Sequence, residues 1–371
     1  MFAKCLQCIK CGKEFPLNGK ILTCPNHNKY YNYLEIKYDY NKIKKFPLDG
    51  KSPYKYLPLL PINKIKVTLG EGQNPLIQIC VKNGANIFVK NEFQNPTGSF
   101  KDKGYMIMIN KALEMGIKSL FVVSDGNAAI SASAYSNKAK IKCKCFCPEN
   151  TTSGKLNLIK IYGGILEKIK GSYEDVYKKC IDYEGWNCTS GFNPFHEEGD
   201  KITAFEIWEE IGVPDKIIVP CGNGSQLFGI WKGFSELKEI GKISKIPQMI
   251  GVQITGASPL KTSLKNNSDY YIEKNPEKSI AEAIVASESY SSPKAIKALL
   301  DSGGFIVTVN DTELIESLNK MIKNESLLVE PSSAAVFSAL EKIHITNGEN
   351  LVCILTGSGV KNMQEIIELV K

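Results

Sequence analysis

The chain contains no arginine. Among its 371 residues every strong cation is a lysine, 46 of them against 39 acidic residues, for a formal net charge of +7. Any anion bound here must be met by lysine, backbone N–H or neutral side chains, without a bidentate guanidinium fork. The lysines are spread along the chain, which does not make the basic stripe of a nucleic-acid surface. No nucleic-acid partner is expected. No apolar run reaches the roughly 18 residues of a membrane helix. Met1 to Lys10 lack the apolar core of a signal peptide, so the sequence reads as cytoplasmic, with no membrane partner. Short repeats and low-complexity tracts are missing too.

What is present bounds the architecture. A chain of this length, 43% hydrophobic, is enough for two domains with their own cores. Twelve cysteines in a cytosolic chain point to metal or thiol roles before disulfides. Cys8-x2-Cys11 and Cys24-x2-His27 form two knuckle-like pairs, with Gly12 and Pro25 supplying turn chemistry. Such a turn presents two ligands to one ion, and four filled positions make a closed, structural Zn2+ site. Cys5 is a spare candidate. Cys143, Cys145 and Cys147 alternate on a predicted strand, so they share one face at Cα spacings of roughly 6.5–7 Å. One zinc ion wants sulfurs about 3.8 Å apart, so an apolar buried face is the reading there.

Residues 30–60 are rich in Lys, Tyr and Pro and read as a linker or wrap-around segment. From residue 87 the pattern alternates. Strands are predicted over 87–90, 119–124, 140–147, 216–220 and 351–355. Helices are predicted over 105–115, 127–139, 153–162, 173–183, 201–211 and 227–237. This alternation implies an α/β architecture with largely parallel sheets.

The centre of the pattern is Asn95-Pro96-Thr97-Gly98-Ser99-Phe100-Lys101-Asp102-Lys103-Gly104. Asn95, Pro96 and Gly98 are turn formers. Ser99 suits an N-cap and Gly116 a C-terminal stop. Lys101 then stands in the first turn of a helix, where the dipole disfavours a cation. That place suits a lysine that must lose its proton and form an imine.

This segment resembles the cofactor-lysine motif of pyridoxal-phosphate (PLP) enzymes of the tryptophan-synthase-β type, and most of all that of threonine synthases. The resemblance implies PLP fold type II: two three-layer α/β domains, preceded here by a zinc-ribbon-like segment at 1–40. The large PLP-binding domain is expected at 41–108 and 200–371, and a small substrate domain at 109–199. It implies that Lys101 holds PLP as a Schiff base. Cys221-Gly222-Asn223-Gly224-Ser225-Gln226 ends a strand and opens a helix, as a phosphate cradle does. It is similar to the family's Gly-Asn-x-Gly-Asn loop, so Gly222, Asn223, Gly224, Ser225 and Gln226 are cofactor-binding candidates. Thr356, in Thr356-Gly357-Ser358-Gly359, is the implied partner of the ring nitrogen, with Ser358 where the family has His. Asn127 is the implied neighbour of the cofactor's 3-hydroxyl.

The loop Ser124, Asp125, Gly126, Asn127, Ala128 resembles the family's grip on the substrate α-carboxylate. Asp125 departs from the usual Thr, and a carboxylate beside a carboxylate site is costly unless it turns away or meets a cation. Leu69-Gly70-Glu71-Gly72 resembles the family's entry motif, with Asn74 in place of Thr. Glu330-Pro331-Ser332-Ser333 also resembles the family, although an N-cap with Pro in the first turn accounts for it. Lys155, on the helix predicted over 153–162, is a substrate-binding candidate. The family's phosphate-binding Asn-Ser-x-Asn-Pro-x-Arg becomes Ser190-Gly191-Phe192-Asn193-Pro194-Phe195-His196. Arg is replaced by His196 and the Asn-Ser pair by Ser190-Gly191, so the ligands for a substrate phosphate are weakened together.

A small amino-acid substrate is expected, with a homodimer because relatives commonly pair. Conversion of O-phosphohomoserine and water to threonine and phosphate is the first reading. Deamination of threonine or serine, or β- or γ-replacement on another amino acid, is the alternative. A PLP-binding chain without catalysis, using its ribbon for partner contacts, is the third.

Overall fold

A computed structural model describes residues 1–370. The chain divides into two units. The first comprises residues 1–73, 95–97 and 101–202, and the second 74–94, 98–100 and 203 onward. The sequence reading places its divisions elsewhere, at 40, 108 and 199. In the structure the N-terminal sheet and the helix that begins at Lys101 both belong to the first unit.

β1 (Ala3–Cys8), β2 (Glu14–Phe15) and β3 (Leu34–Tyr38) form an antiparallel sheet in the order β2-β1-β3. β3 lies inside the stretch read as a linker. Tyr31, Tyr33, Leu34, Ile36 and Tyr38 are buried there, because tyrosine rings supply core area to a sequence that looks polar. β4 (Leu76–Lys82) and β5 (Ala85–Lys90) follow as a hairpin. Its two-residue turn is Asn83-Gly84, at φ +53° and +78°, the double positive φ that Asn-Gly tolerates best.

Next come α1 (Lys101–Glu114), β6 (Ser119–Val123), α2 (Asn127–Ala139), β7 (Lys142–Pro148), α3 (Ser153–Ile161), β8 (Ile165–Ile169), α4 (Tyr173–Cys180) and β9 (Trp186–Asn187). The four strands make a parallel sheet in the order β8-β7-β6-β9. α5 (Pro194–Ile211) leads to β10 (Lys216–Pro220), α6 (Ser225–Glu239), β11 (Gln248–Ile254), α7 (Pro259–Lys265), α8 (Ser292–Asp301) and β12 (Phe305–Val309). α9 (Asp311–Glu325), α10 (Pro331–Leu340), β13 (Asn350–Ile354) and α11 (Met363–Leu369) complete the chain. The second sheet runs β12-β11-β10-β13-β5-β4, antiparallel only at β4. Its inner strands are continuous Ile/Val runs such as Ile217, Ile218 and Val219, all buried, as parallel strands covered on both faces require.

The three cysteines of β7 are buried, in agreement with an apolar face. The Cys143 and Cys145 sulfurs nevertheless approach to 3.7 Å, closer than Cα spacing suggests, because the two side chains lean together on the same face.

Candidate active site

α1 is positioned by its first turn and by α5. Asp102, fully buried, accepts from the Thr97 backbone N–H (2.7 Å), Thr97 Oγ1 (2.6 Å) and Ser131 Oγ (2.6 Å). This differs from the expected Ser99 cap. The Ser99 hydroxyl is buried without a partner, and the carboxylate of Asp102 closes the turn instead. At the far end Gly116, φ +71°, stops the helix, with Ile117 N–H reaching Ala112 O, a left-handed C-terminal stop. Along the helix, α5 packs at backbone contact. A Cβ on Gly199 would fall 2.1 Å from Lys103 O, and one on Gly104 would fall 2.6 Å from the His196 ring.

Lys101 Nζ, at the head of α1, donates to Ser190 Oγ at 2.5 Å. Ser190 is 4% exposed and sits on a segment held by its own hydrogen bonds. Asn193 donates to Asn187 O (2.8 Å), Thr189 N–H donates to Asn187 Oδ1 (2.9 Å), and Val123 N–H donates to Thr189 Oγ1 (3.1 Å). Ser190, a candidate for substrate binding, is therefore a polar neighbour of the candidate catalytic amine. His196 is fully buried, edge-on to Tyr105, with Nδ1 3.3 Å from Asp200.

The candidate carboxylate loop links β6 to α2. Gly126 takes φ +147°, and its N–H donates to Ser124 Oγ at 3.0 Å. No side chain caps α2, and its first helical bond is Ile130 N–H to Gly126 O. Asp125 is half-buried and, after burial itself and Cys145, helps push the Cys147 thiol up. Lys155 runs its methylenes across Gly126, where a Cβ would lie 2.4 Å from Lys155 Cδ. The Gly-Glu-Gly entry motif is tied to the same helix, since Tyr135 donates to Glu71 at 2.6 Å.

In the second unit, β10 runs into Cys221-Gly222-Asn223-Gly224 and then α6. The loop's oxygens are engaged. Ser289 Oγ donates to Gly222 O (2.6 Å), Ser291 N–H to Asn223 O (3.2 Å), and Tyr290 N–H to Asn223 Oδ1 (3.1 Å). Gly224, φ +83°, is the N-cap and brings no side chain. Its carbonyl takes the first helical bond, from Phe228 N–H. The N–H groups of Ser225, Gln226 and Leu227 are thereby left to an outside acceptor. Both polar atoms of the buried Gln226 side chain lack a partner among the described residues. Unused donors at a helix N-terminus and an orphaned amide beside them fit a phosphate-bearing cofactor.

Thr356 follows β13 and is 4% exposed. Its Oγ1 lies 2.9 Å from Ser333 Oγ, which also accepts from the Thr356 (3.0 Å) and Gly357 (2.9 Å) N–H groups. Two accepted bonds occupy the Ser333 lone pairs, so its proton goes to Thr356 Oγ1 or to Gly357 O, 3.4 Å away, and the Thr356 proton is left for another acceptor. Read from sequence as an N-cap motif, the Glu330-Pro331-Ser332-Ser333 stretch gave no sign of this. Only the pairing of α10 with the β13 end reveals it.

Cys8, Cys11, Cys24 and His27 bring one ligand atom each within 4.8 Å of one another, and Cys11 and Cys24 sulfurs lie 3.7 Å apart. A hydrogen bond from the Lys13 backbone heads the causes that hold the Cys11 thiol down to about 6, while burial lifts Cys24 to about 11. His27 Nε2 is buried without a partner. The cluster fits a tetrahedral Cys3His ion, whose sulfurs stand about 3.8 Å apart. Cys5 lies outside it.

The chain is similar to known proteins. Residues 67–357 match the family described as "Pyridoxal-phosphate dependent enzyme". The threonine synthase of Methanocaldococcus jannaschii is 36% identical, over 96% of this chain and 92% of that protein. That of Methanosarcina acetivorans is 33% identical, over 98% and 94%. Among solved structures, an L-serine ammonia-lyase from Rhizomucor miehei aligns with a TM-score of 0.71 at 20% identity, over 80% of this chain and 97% of that one. The processed form of threonine deaminase isoform 2 from Solanum lycopersicum aligns at 0.64 and 18%, over 84% and 94%. Likeness at that identity speaks for the fold alone, which is that of PLP fold type II. With the match covering most of its length, the chain belongs to the pyridoxal-phosphate-dependent enzyme family.

Proposed function

We propose that this enzyme is a threonine synthase, converting O-phosphohomoserine and water to threonine and phosphate. The observation that carries the reading is the similarity to threonine synthases along nearly the whole chain, 96% and 98% of it in the two archaeal comparisons. Lys101, Asn127, Gly222, Asn223, Gly224, Ser225, Gln226 and Thr356 are the residues we assign to hold pyridoxal phosphate. When bound, that group supplies the conjugated ring that takes up charge at the substrate's carbons. Lys101 anchors it and moves the proton at Cα. Ser190, 2.5 Å from Lys101 Nζ, orients the amine. The N–H groups that open α2 bind the α-carboxylate. Thr356 meets the ring nitrogen with a neutral hydroxyl. Cys8, Cys11, Cys24 and His27 hold a structural Zn2+.

One observation favours deamination of threonine or serine instead. His196 stands where family members place a phosphate-binding arginine, and it is fully buried against Tyr105. A paired assay on the PLP-loaded protein separates the readings. Phosphate release from O-phosphohomoserine with threonine as product supports synthase activity. No phosphate release, with ketoacid formed from threonine, moves the assignment to the deaminase.

A further inference from the structure

A cleft of about 660 Å3 opens in the first unit. Residues 116–119, which lead into β6, line it, whereas the candidate carboxylate loop leaves the other end of that five-residue strand. Another part of the lining comes from the loop between the two cysteine pairs. There the Trp186 Nε1–H donates to Gly19 O at 3.0 Å. A Cβ on Gly19 would fall 2.4 Å from the Met115 sulfur, so the loop is seated directly on the side chains beneath it.

Three features bear on what the cleft would hold. Phe121, Tyr183 and Trp186 give it aromatic walls, and the Phe121 and Tyr183 rings meet edge-on at 5.6 Å between centroids. Its charge is of one sign. Lys20 and Lys118 line it, both exposed, and no acidic side chain does. Asp182 and Glu184 stay outside the lining, and Asp182 is taken by Lys29 at 3.0 Å. Finally, Asn187 is 6% exposed and short of a partner. Its Oδ1 accepts from Thr189 N–H at 2.9 Å, while Nδ2 is buried without an acceptor. A buried donor left over in this way calls for an acceptor from outside the chain.

We propose that this cleft is a second ligand site, for a small organic anion built on a flat ring, and that it is coupled through Asn187 to the segment that carries Ser190. The aromatic walls take the ring, the lysines hold the anionic group, and the Asn187 amide donates to an oxygen of the ligand. The volume lies within the roughly 300–1,000 Å3 of small-molecule sites. With no carboxylate in the lining, an ammonium group finds no counter-charge, so an aromatic oxo acid fits better than the matching amino acid. A nucleoside monophosphate has the same chemistry of ring and anion. The coupling is short. Asn187 accepts from Asn193 Nδ2 through its carbonyl at 2.8 Å and from Thr189 N–H through its side chain. Those two residues flank Ser190, which accepts from Lys101 Nζ.

The test uses the PLP-loaded protein and does not depend on which reaction it runs. Phenylpyruvate and AMP are titrated calorimetrically, with phenethylamine as a ring that carries a cation. At least one of the two anions is expected to bind with a Kd below about 1 mM at low salt, and phenethylamine is not. Binding of AMP alone names a nucleotide as the source of this chemistry, and of phenylpyruvate alone an oxo acid. The double variant Lys20→Glu, Lys118→Glu changes only exposed side chains. It should weaken binding at least about tenfold with Tm unchanged. Asn187→Asp keeps the acceptor for Thr189 but loses the spare donor, and should weaken binding as well. Saturating ligand is expected to shift the absorbance of the bound cofactor in wild type and not in the double variant. Binding of neither anion, or equal affinity in wild type and the double variant, would overturn the site. Binding that leaves the cofactor absorbance unchanged would overturn the coupling.

Discussion

Single residues here are held by hydrogen bonds that dictate how they can act. Ser333 has both lone pairs occupied by the Thr356 and Gly357 N–H groups. Those lone pairs are closed to the Thr356 hydroxyl, and Thr356 is preset as a donor to another group. Ser333→Ala leaves two buried N–H groups unsatisfied and is expected to cost about 1–3 kcal/mol of stability. It should also weaken PLP retention, read by dialysis of the loaded enzyme. Ser333→Thr, which keeps the hydroxyl, should restore most of both. Lys101 and Thr356 stand out in the sequence because their motifs are contiguous. Ser333 does not, because its role depends on an element 23 residues away that only the sheet brings close.

At the scale of elements, Lys101 is placed by the packing of α1. Asp102 accepts three donors at its start, and Gly199 admits the Lys103 carbonyl along its length. Asp102→Ala is expected to lose about 1.5–3 kcal/mol, the range for bonds to a charged acceptor, measured by urea unfolding. Gly199→Val should fare worse, because its new side chain would strike backbone, which cannot move aside as a side-chain tip can. The measurement is again urea unfolding, with the soluble yield as a second readout. The helices of α2 and α3 and the strand β10 were readable from hydrophobic pattern and capping signals. β3 was hidden by tyrosines that look polar and bury their rings. The start of α5 was hidden too. Its first residues, Pro194 to Asp200, carry His, Glu and Asp that look like a surface loop, yet they are buried in the fold, and Glu198 among them is paired with Lys201.

For the whole molecule, alternation of strand and helix was enough to give two parallel-sheet cores, because each strand run is followed by a helix of the right length. The division into units was less legible. The chain crosses between them near 74, 95, 98, 101 and 203, and composition marks none of those crossings. The cysteine cluster proposed to hold Zn2+ includes Cys8, the last residue of β1. About one zinc per chain is expected by metal analysis of the purified protein, with Cys24→Ser lowering both zinc content and Tm. A protein that melts identically after chelation would remove the structural metal from the account. The central claim is the identity of the amine that carries the cofactor. Borohydride reduction of the PLP-loaded protein, followed by peptide mapping, tests it most directly. The account requires the reduced pyridoxyl label on Lys101 and no label in Lys101→Ala. A label on another lysine, or none in fully loaded wild type, would contradict it.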